Sequence, residues 1–559
     1  MKDTLNPVLD SGDMSQPPQL TAEATHDQVQ GFCSPILLRI FLAGLGGFML
    51  CVPWLNNALF WVGWVAWLPL LWALRDTRPF TAFLLGWFAG ILCFAGGSYW
   101  LAAFMVNLKQ ISPALSMLLA ALFWCYLGLT IGLACMLYRW LIRRLGGWEL
   151  LAFPLCVVAV MALYPMLFKT HFADGQVNFL SALQAIELTG AAGLDAMMAL
   201  FAVLLYRLII KRDVRAGRQS MIANRVAWAL VLVWLGYGLI TLQSWDQRMQ
   251  QWEARRIGLV QPNDPITLDI PEPAAGFSRE FPREMEATQR LIAAGAQWVA
   301  WPEARYKGYF DNFSVRERYA QEIARHGVPL IFHDVERQWQ DAEQVSFNTV
   351  ALLSRRGELV ARYRKMLRMP FGEYLPAPWS WPVLSGISDR VFGEFLRPLG
   401  AGEEHVVFDM GGMRVMPQVC YEAAFPGFVA DAVNTDGAGK MLLFLSQDNW
   451  FGETTQPLQH ASMSILRGVE NRLPMAHLIN NGPSVVTAPN GRVLARSRPF
   501  SRDELLVRVP FDPTAGGSFF SRHPQLFLNL VYISLLGLVL FALWRGRGRQ
   551  ERQATSPAL

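Results

Sequence analysis

Charge is scarce in this chain: 17% of its 559 residues are Asp, Glu, Lys or Arg, while 53% are hydrophobic. A soluble globular domain carries about 25% charged residues. Several chemistries are equally short of sequence signs. The eight histidines are scattered, with no His-x3-His pair and no Cys-x2-Cys, so no metal centre is expected. No glycine-rich loop runs into Lys-Ser or Lys-Thr, which argues against nucleotide dependence, and no cofactor of any kind is implied. There is no fixed-period repeat. Residues 1–35 lack the basic start and apolar core of a signal peptide and read as a disordered cytoplasmic tail. The formal charge of +5 sits in short arginine-rich loops and suggests no nucleic-acid partner.

Cysteine is also rare where it would matter. Six of the seven cysteines lie in or beside apolar segments of the first 160 residues, and the polar stretch 244–525 holds only Cys420. A lone thiol cannot build a disulfide framework. It is either a small buried hydrophobe or a reactive thiolate, and the surrounding residues must decide which.

What is abundant is apolar sequence, gathered at the two ends. Seven candidate spans lie at 36–54, 57–74, 80–105, 114–137, 148–168, 190–210 and 226–243, with a tight turn at Pro53, and an eighth lies at 526–544. Each approaches the roughly 20 residues needed to cross a bilayer core. Arg75 and Arg78, then Arg139, Arg143 and Arg144, then Arg207 to Arg225 mark three loops as cytoplasmic, while the alternate loops carry only Lys109 and Lys169. Seven crossings then deliver 244–525 to the far side, and helix 526–545 returns the chain to a basic cytoplasmic tail, 546–559.

Within 244–525, short β-rich runs alternate with helical stretches. Residues 256–260, 297–302, 328–332, 348–353, 414–420, 441–446 and 484–495 read as strands, the last with an Asn-Gly turn, and 279–295 and 457–473 as helices. Buried strands with interleaved helices imply a layered α/β sandwich. Chemistry in such sheets collects at strand carboxyl ends. Glu303 ends Val-Ala-Trp-Pro-Glu, Cys420 ends Val-Met-Pro-Gln-Val-Cys, and Asp448 follows Leu-Leu-Phe-Leu-Ser-Gln; Lys365 and Glu373 share the loop between the first two. A thiol needs a base and a neighbouring cation, which Glu303 and Lys365 could supply. Singly, each is as readily a surface charge, so the case rests on their order.

That order, Trp-Pro-Glu, then Tyr-x-Lys with Pro-Phe-Gly-Glu-Tyr, then Cys-Tyr-Glu, resembles the Glu-Lys-Cys triad of the nitrilase (carbon-nitrogen hydrolase) superfamily and, within it, the apolipoprotein N-acyltransferase family. Asn449-Trp-Phe-Gly452, Pro457-Leu-Gln-His460, the Arg467 to Glu470 helix and Asn480-Asn-Gly482 extend the likeness. The resemblance implies a multispan helical region joined to a nitrilase-like α-β-β-α domain on the periplasmic side of a bacterial inner membrane, working as a monomer. It makes Cys420 the nucleophile, Glu303 the base and Lys365 the oxyanion partner, helped by the Tyr421 N–H. Glu373 and Glu422 would be supporting carboxylates that orient Lys365 or the incoming amine. It further implies that a phospholipid's acyl chain passes through a Cys420 thioester to the N-terminal amine of a diacylglyceryl-cysteine lipoprotein.

Departures from the family pattern bear on the acceptor. Met366-Leu-Arg368-Met369 follows the lysine, Leu473 and His477 stand where arginines are usual, and Ala304-Arg305 follows Trp-Pro-Glu. Lys169-Thr-His-Phe-Ala-Asp174 replaces a Phe-Pro-Trp-type element. A divergent acyltransferase for another amine, a tethered amide hydrolase and a non-catalytic relative are the competing readings. A Cys-His hydrolase using His460 is a further variant, though a capping or bracing role is expected for that residue. Gly96-Gly-Ser-Tyr-Trp100 is read either as close helix packing or as the lining of a lipid path.

Overall fold

The computed structural model describes residues 35–554 apart from 110, 212–217, 268, 305, 341–342, 378–379, 382, 385, 387–398 and 436–437. The expected N-terminal tail, Arg212, Arg215, Arg305 and the end of the basic tail fall outside that set.

Among the described residues, six helices are long and apolar enough to cross a membrane: Pro35–Leu55, Pro79–Gly97, Pro113–Leu145, Ala191–Ile210, Gln219–Met249 and Leu526–Gly546. The other two expected spans form the shorter apolar helices Asn57–Ala73 and Glu149–Leu163. Pro53 lies inside the first helix rather than at the turn, which is made instead by Asn56, whose side chain accepts from the Ala58 N–H. The span expected at 80–105 is broken at Ser98, whose hydroxyl donates to the Phe94 carbonyl, and the chain resumes as a separate helix, Trp100–Lys109. The last helix continues through the basic segment to Ala554.

Small residues set how closely the helices approach. A Cβ on Gly90 would lie 2.5 Å from the Gly128 carbonyl oxygen, and one on Gly97 2.5 Å from the Trp54 ring, so both positions exclude a side chain. Arginines gather at one end of this bundle. Arg39 donates to the Ala73 and Arg75 carbonyls, Arg139 to Thr77, Arg545 to Leu145, and Arg207 pairs with Glu149. The other end meets the α/β domain, where Asn57 donates to Ser462 and Gln459 donates to the Gly97 carbonyl.

Two six-stranded sheets form that domain. One runs in the order β12 (Asp503–Phe511), β1 (Glu253–Gln261), β2 (Trp298–Ala300), β3 (Leu330–Gln340), β4 (Glu343–Leu353), β5 (Leu359–Arg364). The other runs β11 (Val493–Arg496), β10 (Val485–Thr487), β9 (Met475–Ile479), β8 (Lys440–Ser446), β7 (Arg414–Val419), β6 (Phe408–Asp409). The central strands β1–β2–β3 and β7–β8–β9 are parallel and the flanking pairs antiparallel. Ile257, Leu259, Ile331 and Val350 from one sheet and Val415, Val419, Leu443 and Leu478 from the other fill the space between them, each 0% exposed.

Helices Arg283–Ala293 and Phe313–His326 cover the first sheet through Met285, Leu291, Val315, Tyr319 and Ile323. Pro426–Asn434 and Gln456–Asn471 cover the second through Val429, Ile465, Leu466 and Val469. The sandwich is therefore α-β-β-α. Those last four side chains share one buried cluster with membrane-region residues such as Phe172, Ala182 and Leu183, so the outer helical layer and the bundle have a common core.

Candidate active site

Cys420 sits where β7 stops, with φ +50, the left-handed region that a side chain with a Cβ seldom occupies. Such a turn costs on the order of 1–3 kcal/mol and persists only where neighbours enforce it. The enforcing group is Glu422, 0% exposed. Its Oε2 accepts the Val419 N–H at 2.7 Å, and its Oε1 accepts the Tyr363 hydroxyl at 2.7 Å, the Met366 N–H at 2.8 Å and the Leu367 N–H at 3.1 Å. One carboxylate thus fastens the cysteine turn to the segment immediately after Lys365. Its four bonds all come from this chain and hold this loop.

Lys365 follows β5 and is 2% exposed; its Nζ donates to Glu373 Oε1 at 2.9 Å. Glu373 in turn accepts from Asn348 Nδ2 at 2.5 Å and from the Met369 N–H at 2.8 Å, which anchors the loop on β4. Burial pulls the ammonium down, yet Glu373, Cys420 and Glu303 outweigh it and Lys365 is held firmly charged. Glu303, just past β2, accepts the Gln447 N–H at 3.0 Å. Burial lifts its carboxyl from the ordinary 4.5 to about 7, with Lys365 opposing and Glu373 reinforcing the rise. Burial, then the charge of Glu303, pushes the Cys420 thiol well up despite Lys365. At rest the group is a neutral thiol, an ammonium and a carboxyl poised near neutrality, which is the state a proton-transferring nucleophile requires.

Two histidines complete the surroundings. His460 Nδ1 donates to Asp448 Oδ2 at 2.9 Å and Nε2 to the Cys420 carbonyl at 3.0 Å. Both partners are acceptors, so both ring nitrogens carry protons, and the carboxylate outweighs burial to favour that cation. The ring offers no lone pair to the thiol, and a Cys-His pair is excluded in this arrangement. Cys420, Asp448 and His460 do present ligand-type atoms within 4.8 Å of one another, but with both nitrogens engaged the trio lacks a free imidazole donor for a metal. His333, which the sequence reading did not single out, accepts the Ala304 N–H at 3.2 Å and so steadies the backbone beside Glu303; burial, then Lys365, holds it neutral, down to about 3.

The departures find places of their own. His477, on β9, lies between Ser446 and Ser464 with contacts of 2.7 and 2.9 Å, edge-on to His460 at 4.6 Å, and is held neutral by burial and by that cation. Leu473 is core, 1% exposed. Arg368 donates to the Leu399 carbonyl at 2.7 Å and stacks over Tyr374.

Cys420 opens into a narrow cavity of about 90 Å³. Its walls come from both regions: Trp54, Phe94, Trp100, Phe123 and Phe168 from the bundle, and Met369, Tyr421, Phe451 and Met463 from the α/β domain. Gly97, Ser98 and Trp100 of the Gly-Gly-Ser-Tyr-Trp motif line it, and Gly97 also packs closely against Trp54. The Tyr421 hydroxyl donates to the Leu167 carbonyl and its ring meets Phe168 edge-on at 6.0 Å. A second cavity, of about 700 Å³, also reaches Glu303 and is lined by residues that include Asp264, Arg279, Glu284 and Lys307. The arrangement can form and break an acyl bond at sulfur with an apolar chain lying in the first cavity.

Comparison with known proteins gives two family matches. Residues 46–204 match the apolipoprotein N-acyltransferase N-terminal domain and residues 256–514 the carbon-nitrogen hydrolase model, between them about three quarters of the chain. An apolipoprotein N-acyltransferase of Geobacter metallireducens is 27% identical over 87% of this chain and 92% of its own. One from Brucella melitensis biotype 1 is 24% identical over 90% and 92%. Among solved structures, an amidase from Nesterenkonia sp. aligns with 50% of this chain and 97% of its own at 20% identity, with a TM-score of 0.34.

Proposed function

The chain belongs to the apolipoprotein N-acyltransferase family, and from that premise we propose that it moves a fatty acyl chain from a membrane phospholipid, through a Cys420 thioester, to the N-terminal amine of a diacylglyceryl-cysteine lipoprotein. The observation that carries the reading is the apolar cavity at Cys420, walled jointly by membrane helices and the α/β domain. A hydrolase of small soluble amides has no use for such a chamber; a lipid acyl chain does.

In the first half-reaction the Cys420 S–H proton passes to Glu303 as sulfur attacks the ester carbonyl. Lys365 Nζ stabilises the oxyanion, a contribution that is typically among the largest in acyl transfer. The ester C–O bond breaks, and Glu303 returns the proton to the leaving glycerol oxygen. In the second, a neutral amine attacks the thioester, gives a proton to Glu303, and the departing sulfur takes it back. Glu373 and Glu422 hold Lys365 and the cysteine turn in register through the bonds already described. The arginine-rich end faces the cytoplasm of an inner membrane and the α/β domain the periplasm, following the positive-inside rule.

The test uses purified full-length protein in detergent with a fluorescently acylated phospholipid. An acyl adduct on Cys420, released by neutral hydroxylamine and absent from Cys420→Ser, is expected. A folded protein with a free thiol and no adduct would overturn the proposal.

A further inference from the structure

The wall of the Cys420 cavity is apolar for the most part, and only two of the described residues lining it carry basic side chains. One is His460, whose cation is paired with Asp448. The other is Lys169, half-buried and without a carboxylate partner among the described residues. Its Nζ donates to the Ala162 and Tyr164 carbonyls at 3.2 and 3.1 Å, which leaves one N–H of the ammonium uncommitted among those residues. Burial draws its pKa down, and no acidic group counters the shift. The acids Asp174 and Asp195 close on His171 instead, through its backbone N–H at 2.8 Å and its Nδ1 at 2.8 Å.

The two carbonyls lie at the C-terminal end of helix Glu149–Leu163, where a cation is favourable. That capping explains where the ammonium is held but not its missing counter-charge. Lys169 is one of only two basic residues on the loops that the positive-inside rule assigns to the far side, and it opens the Lys169-Thr-His-Phe-Ala-Asp174 segment that departs from the family pattern. Its place beside the nucleophile is fixed by chain neighbours. Tyr421, the residue after Cys420, donates its hydroxyl to the Leu167 carbonyl, and its ring meets Phe168 edge-on at 6.0 Å. Lys169 is next in the chain, so lysine and thiol line one narrow cavity and are joined through the residues adjacent to each.

A donor phospholipid carries a negative charge on its phosphodiester, one glycerol unit away from the acyl ester that Cys420 attacks. With the acyl chain among the apolar side chains of the cavity, that phosphate is the group an unpaired ammonium on the same wall would meet. Lysine binds phosphate as a point charge, and a charge-assisted hydrogen bond is about twice as strong as a neutral one. We propose that the Lys169 ammonium takes the phosphodiester of the donor phospholipid and thereby sets a preference for phospholipids over uncharged acylglycerols. The proposal rests on the acyltransferase reading.

The test follows single-turnover acylation of Cys420 in full-length protein in detergent, from phosphatidylglycerol and from diacylglycerol with the same acyl chains, the latter lacking the phosphate. Wild-type protein is expected to take the phospholipid faster at subsaturating lipid. Lys169→Met is expected to lower the ratio of the phospholipid rate to the diacylglycerol rate by about tenfold or more, the loss expected of one charged hydrogen bond. Lys169→Arg should keep most of that ratio. Lys169→Gln, which retains N–H donors for the helix carbonyls but not the charge, should show the same drop and keeps the test open should Lys169→Met fold poorly. A folded Met or Gln variant with an unaltered ratio, or with both lipids slowed equally, would leave Lys169 a helix cap alone and overturn the subsite, as would a wild-type protein indifferent to the phosphate. A wild-type protein that forms no thioester from either lipid would remove the acyltransferase reading and the subsite together, a result distinct from an acylated protein whose ratio ignores Lys169.

Discussion

Glu422 provides the sharpest test of how the site is held, because a brace and a proton carrier respond differently to the same substitutions. Its carboxylate accepts four hydrogen bonds, three on Oε1 and one on Oε2. In Glu422→Gln the amide oxygen can keep the three while the NH2 group faces the Val419 N–H, so about one charge-assisted bond is lost, about 1.5–3 kcal/mol. Expressed entirely in the acylation transition state, that is a ceiling of about 10- to 150-fold. Glu422→Ala orphans three backbone N–H groups and a phenol in a site without solvent, a loss of at least about 6 kcal/mol on the same scale, comparable with the whole stability of many domains. Single-turnover formation of the Cys420 thioester across pH 5.5–8.5, with thermal unfolding measured alongside, separates the cases. The Gln variant is expected to fold, to acylate more slowly, and to keep the wild-type pH profile, whereas the Ala variant is expected to yield little folded protein. A Gln variant as inactive as Ala but fully stable would refute the bracing role.

Glu303 must be ionised to accept the thiol proton, and its carboxyl sits at about 7, so acylation should be slow at pH 5.5, half-maximal near pH 7 and level above pH 8. A midpoint near 4.5 would show that another group sets the rate, and Glu303→Gln should remove the step and fall by about 100-fold or more. His460 donates from both nitrogens, so His460→Gln, which retains a donor toward the Cys420 carbonyl, should keep a measurable fraction of acylation in the hydroxylamine assay. Complete loss in a folded protein would reinstate imidazole as a base.

The sequence carried the layered α/β domain because its buried strands are apolar and sharply bounded, as in Lys440–Ser446 and Arg414–Val419. Glu303, Lys365 and Cys420 could be brought together on paper because each follows a strand of the central sheets. Helix Phe313–His326 went unread, although Asn312 caps it, Gly327 ends it at φ +65, and Val315, Tyr319 and Ile323 mark its inner face at helical spacing. The break at Ser98 was illegible for a physical reason: apolar residues continue on either side of it, and only the docking of Trp100 and Phe104 on Phe451 shows why the chain turns there. The Asp448–His460 pair could be glimpsed only as two strand-end and helix-start residues, since the partnership spans 12 positions and depends on where β8 delivers the carboxylate.

The shared core between the outer helical layer and the bundle has a bearing on how this enzyme can be handled. Severed from its anchors, the α/β domain would bare the part of this shared core now covered by bundle residues such as Phe172, Ala182 and Leu183, a greasy surface of the kind that drives aggregation. It would also forfeit half the walls of its own reaction chamber. The membrane segments are therefore less a leash than part of the globule itself, and a clipped, water-soluble version of this catalyst is not expected from truncation.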